Sequence, residues 1–134
     1  MSSTTLKGLF QITSWDESAY AEHNNGSKQT IAKITQSYSG DIVGTANIHY
    51  VMSHQTDGGA FFVGYEHLTL STTTHKGTMI LQHSGQFING VASSKFIIIE
   101  GSGTDDFCFV IGSGEFTSTE NGQASYILSF SEKA

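Results

Sequence analysis

Between Ile42 and Met52 every second residue is apolar or small. Ile42, Gly44, Ala46, Ile48, Tyr50 and Met52 share one parity, while Thr45, Asn47 and His49 fall on the other. A period of two is that of a β-strand with one face in a core and one in water. The same pattern recurs along the chain in short segments separated by Gly, Asn and Asp, and no segment holds a helical period. Proline is absent, and Val, Ile, Thr, Phe and Tyr dominate the ordered-looking segments, as β structure favours.

The first strand is expected from Thr5 to Ser14, with Leu6, Gly8, Phe10 and Ile12 inward. Ser14-Trp15-Asp16-Glu17-Ser18 breaks its alternation, and the polar segment up to Ser27 reads as an exposed excursion. Further strands are expected over Lys28–Tyr38, Ile42–Met52, Ala60–Leu70, Gly77–Ser84 and Val91–Ile99. Thr56-Asp57-Gly58-Gly59, Asn89-Gly90 and Asn121-Gly122 are hairpin turn sequences, and Gln86-Phe87-Ile88 reads as a short link. Phe107 to Ile111 is apolar on both faces and fits either a strand or a buried turn of helix. In the last strand Tyr126, Leu128 and Phe130 point one way and Ser125, Ser129 and Ser131 the other.

About eight strands with short connections favour antiparallel neighbours. An open sheet of this length would leave two edges exposed, and closure removes them. The expected fold is an all-β, small antiparallel barrel, one domain over residues 1–134, with a β-sandwich as the alternative.

Six lysines, no arginine and 12 acidic residues give a net charge of −6. That argues against nucleic acid as a partner, because phosphates call for a basic face and often for Arg forks. Cys108 is the single cysteine, so neither an intrachain disulfide nor a cysteine metal cluster is available. The N-terminus lacks the apolar core of a signal peptide, and no apolar run reaches the ~18–20 residues that span a bilayer. A cytoplasmic protein with no membrane partner and no cofactor is expected. The six histidines show no HxH or HExxH spacing: His49 and His67 fall on outward parity, and His54 and His75 are expected in turns. No metal site follows from them.

Parity also selects the polar residues of the interior. Glu66 belongs with Phe62, Gly64 and Leu68, and His83 with Met79 and Leu81. A loop centred between Thr74 and His75 would put Glu66 directly opposite His83, with Cβ atoms ~5 Å apart. Tyr50 would then lie near Phe62 or Gly64, within diagonal reach of Glu66. A carboxylate beside an imidazole in an apolar interior is either a polar anchor or acid/base pair, or a hydrogen-bonded pair that fixes register. Candidate ligand contacts are Glu66, His83, Tyr50, Tyr38, Phe62 and Trp15, with Glu66 and His83 the candidate catalytic pair. Trp15 reads either as a structural plug at a turn or as a pocket rim. Phe61, Val63, Tyr65, Ile97 and Ile99 fall on outward parity, and an apolar outer patch points to a homo-oligomer.

Five blocks in order carry a resemblance: Ser14-Trp15-Asp16-Glu17, Tyr38-Ser39-Gly40-Asp41, Phe62-Val63-Gly64-Tyr65-Glu66, Leu81-Gln82-His83-Ser84-Gly85 and Gly101-Ser102-Gly103-Thr104. Together they resemble the DUF3224 family of small bacterial proteins, over nearly the whole chain. That family is similar to the allene-oxide-cyclase-like barrels, which implies a closed eight-stranded barrel. Its function is unassigned, so the resemblance transfers no catalytic residues. The chain departs from the family's usual pattern at Phe96, Glu100 and Phe107 to Ile111. Three functions are consistent with these residues. One is a barrel binding a small apolar or aromatic molecule. Another is a cyclase or isomerase using Glu66 with His83. The last is an oligomeric structural module with a filled barrel.

Overall fold

The computed structural model describes residues 3–119 and 122–133. Asn121, the first residue of the expected Asn121-Gly122 turn, lies outside the described residues. Eight strands follow one another: β1 (Thr4–Glu22), β2 (Lys28–Gly40), β3 (Val43–His54), β4 (Ala60–Ser71), β5 (Lys76–Ile88), β6 (Val91–Ile98), β7 (Val110–Ser118) and β8 (Gln123–Glu132). Each pairs antiparallel with its sequence neighbours, and β8 pairs with β1. The sheet is therefore a closed barrel and not a sandwich. Inward positions alternate with outward ones, so Leu6, Phe10, Ile34, Ile48, Leu68, Leu81 and Leu128 are buried in a single core.

β1 is much longer than its alternation suggests. The break at Ser14 is a β-bulge between Ile12 and Ser14, not the end of the strand, and pairing with β2 continues through Trp15↔Ile34 to Glu22↔Lys28. The extra residue shifts the phase by one, so the inward positions, even-numbered up to Ile12, become odd-numbered at Trp15 and Glu17. β8 follows β1 only as far as Gln11↔Gln123. Beyond that point β1 runs on along the rim as an arm paired with β2 alone, while β2 stays paired with β3 as far as Lys28↔His54.

The two ends of the barrel differ. At the end away from the arm, the β6–β7 connection forms a 3-10 turn, Asp105–Phe107, that inserts the fully buried Phe107 ring against His75 and Phe130. The segment from Phe107 to Ile111 is thus neither all strand nor all helix: the turn ends at Phe107 and β7 begins at Val110. The Tyr126 hydroxyl ties this end further, accepting the Ile42 N–H and donating to the Ser39 carbonyl. The opposite end is framed by the arm, the β3–β4 and β5–β6 connections, the end of β7 and the start of β8. There Gln86-Phe87-Ile88 is the end of β5, not a link, and His54 closes β3 instead of lying in a turn.

Candidate functional site

Four buried polar residues, Gln36, Glu66, His83 and Ser94, form one layer at mid-height. Glu66 and His83 are both buried, and the imidazole Nε2 lies 2.7 Å from Glu66 Oε1. The pair meets as parity requires, but not face to face. Glu66 stands opposite Leu81, and His83 opposite Gly64. The register differs from the expected one because the β4–β5 loop is centred one residue earlier. Thr72 sets it: its hydroxyl accepts the N–H groups of Thr74 and His75, and its own N–H bonds the His75 carbonyl.

Gly64 makes the diagonal contact workable. It is flanked by Tyr50 on β3 and His83 on β5, and a Cβ there would stand 1.9 Å from the His49 carbonyl oxygen. With no side chain between them, the Tyr50 and His83 rings meet edge to face at 5.6 Å, and His83 packs on Phe96 at 4.9 Å. Tyr50 also packs on Phe62, at 4.6 Å.

Three donors serve the Glu66 carboxylate. His83 takes Oε1, while the Tyr38 hydroxyl and Gln36 Nε2 take Oε2, the latter at 3.3 Å. Gln36 Nε2 also donates to the Tyr38 oxygen at 3.0 Å. The remaining imidazole nitrogen, His83 Nδ1, is 2.9 Å from the buried Ser94 hydroxyl. Burial, and then the charge of Glu66, push the Tyr38 and Tyr50 hydroxyls well above the ordinary tyrosine value, so both stay protonated donors. Gln36 and Ser94 both occupy inward parity in their strands, and that position was the available signal for them.

Above this layer a cavity of about 390 Å³ runs to the rim. Its wall is mostly apolar, with Phe10, Ile34, Met52, Phe62 and Phe116, and Gln36 and Tyr50 also belong to it. Glu66, His83 and Tyr38 stand behind that wall. Of the six expected ligand contacts, Tyr50, Phe62 and Trp15 line the cavity directly.

A second carboxylate–imidazole pair lies at the mouth. Glu17 Oε2 is 2.7 Å from His54 Nε2 and accepts the Thr30 hydroxyl at 2.7 Å. The Trp15 indole N–H donates to Glu17 Oε1 at 2.9 Å. Burial raises the Glu17 carboxyl, but the hydrogen bonds from Thr30, Trp15 and His54 outweigh it, and its pKa falls below the ordinary 4.5. Sequence reasoning misses this cluster because the bulge hides the inward phase of Glu17. Among the described residues no three His, Cys, Asp or Glu side chains converge to hold a metal ion, and no helix is long and apolar enough to cross a membrane.

Comparison with known proteins agrees with this architecture. No curated protein matches the chain. A crystal structure of a protein of unknown function from the DUF3224 family of Shewanella oneidensis MR-1 superposes with a TM-score of 0.84 at 21% identity, covering 99% of each chain. At that identity the likeness is one of fold. The family model described as "Protein of unknown function (DUF3224)" matches residues 6–130, which is nearly the whole barrel, and the chain belongs to the DUF3224 family.

Proposed function

We propose that the barrel binds a small apolar or aromatic molecule in its interior. The observation that carries this reading is the cavity. Its volume of about 390 Å³ lies in the range of small-molecule pockets, its wall is aromatic and aliphatic, and one end of the barrel leaves it open beside Trp15. A reading as a cyclase or isomerase needs Glu66 with His83 to move a proton. Both side chains stand behind Gln36 and Tyr50, so such chemistry would have to pass through that wall.

Native mass spectrometry of the purified protein tests the proposal. The expected result is a non-covalent adduct of a few hundred daltons that denaturation releases, lost in an Ala124→Leu variant that fills the wall. A protein that carries no adduct and takes up no naphthalene-sized hydrocarbon has no binding barrel.

The same spectrum tests self-association, the second part of the proposal. Ile31, Val51 and Val63 stand in register across β2, β3 and β4 on the outer face, each about half exposed, with Phe61 and Tyr65 beside them. A second copy of the chain covering this row gives a homo-oligomer, and Val63→Lys should return it to monomers. We take the protein as cytoplasmic, since its free, exposed Cys108 suits a reducing compartment.

A further inference from the structure

Two buried residues of the cavity wall, Gln36 and Tyr50, each leave a polar atom without a partner. Gln36 uses its amide nitrogen twice, toward Tyr38 and toward the Glu66 carboxylate. A carboxylate oxygen needs a donor, so this assigns Nε2 to that side and leaves Oε1 on the other. Among the described residues nothing hydrogen-bonds Gln36 Oε1 or the Tyr50 hydroxyl. Both residues are more than nine-tenths buried, Gln36 with 5% and Tyr50 with 6% of its surface accessible. Yet no fully enclosed side-chain polar atom among the described residues lacks a partner. These two atoms therefore keep an opening, and both residues line the cavity. A buried donor and a buried acceptor left open to an apolar space mark where a ligand's polar group belongs.

Resting on the binding reading above, we infer that the ligand is a neutral alcohol or phenol, its hydroxyl accepting from the Tyr50 hydroxyl and donating to Gln36 Oε1. A hydroxyl both donates and accepts, which is the complement of this pair. An ether lacks the donor, and an ammonium group lacks the acceptor. Among the described residues of the cavity wall a carboxylate would meet no lysine or arginine, with Glu66 behind the site and Glu17 at the mouth. The rest of the molecule is apolar, held by Phe10, Met52, Phe62 and Phe116.

Calorimetric titration of the unaltered protein with naphthol, its methyl ether, naphthalene and naphthoate tests the inference. Naphthol should bind about tenfold more tightly than naphthalene or the ether, the worth of a good hydrogen bond at a buried site, with naphthoate weakest. In Tyr50→Phe, naphthol should lose most of its advantage over naphthalene measured on the same variant, because only the bond to Gln36 Oε1 remains. Equal affinities for naphthol and naphthalene would overturn the alcohol assignment and leave the binding barrel standing. Naphthoate as the tightest ligand would overturn it too. If none of the four binds, the binding reading fails along with it. The comparison among ligands holds on the unaltered protein, so it decides the question even if the variant does not fold.

Discussion

A carboxylate as deeply buried as Glu66 is costly unless every lone pair in need of a donor finds one. Here His83, Tyr38 and Gln36 supply three donors, and Ser94 occupies the far nitrogen of His83. Removing either member of the pair leaves the other buried without its partner. Glu66→Ala and His83→Ala should each cost about 3–5 kcal/mol in urea unfolding, and the double variant less than their sum. Single-variant costs near zero would show that the pair holds nothing. Gly64→Ala forces a Cβ against the His49 carbonyl and should cost about 2–3 kcal/mol, with a weakened near-ultraviolet aromatic signal as Tyr50 and His83 separate. Parity made Glu66, His83 and Tyr50 legible as one inward group, because a strand's period is fixed by its backbone. Which of them touch the cavity was not legible, since that depends on how side chains three strands apart share the interior.

At the scale of elements, β1 shows where reading by alternation stops. Up to Ile12 the pattern holds; one bulge then reverses it, and Trp15 and Glu17 look misplaced until the extra residue is counted. The β4–β5 register had a comparable ambiguity. Leu70 and Gly77, the expected ends of their strands, do pair with each other, but the loop centre depends on which hydroxyl of a Thr-rich stretch bonds its backbone, and Thr72 takes that role. Glu17 anchors the arm to β2 and β3 through Thr30 and His54, and this gives the arm a pH dependence. Its native carboxyl is depressed, so as pH falls below 4.5 the unfolded chain takes up the proton first and the native state loses relative stability. Thermal melts should therefore show the wild type more stable than Glu17→Gln near neutrality, with the gap closing as pH falls through that range. A gap independent of pH would mean that the carboxylate does not hold the arm.

At the scale of the molecule, the end plugged by Phe107, the polar layer at mid-height and the cavity below the arm form a sequence along the barrel axis. The eight-strand closure was legible from strand count and short connections. The plug was not, because Asp105–Phe107 owes its shape to tertiary contacts with His75 and Phe130 and not to local propensity. Seven of the eight strand pairings join sequence neighbours, and only β1 with β8 brings the chain's two ends together, Thr4 against Phe130. Folding therefore divides into cheap local hairpins and one expensive closure, whose loop entropy falls on a single step. Where the chain is cut should matter kinetically more than structurally. A circular permutant that joins Glu132 to Thr4 through a short linker and opens between Asp57 and Gly58 would make that closure local and the β3–β4 pairing distant. The same barrel would then be reached with a different strand pair docking last.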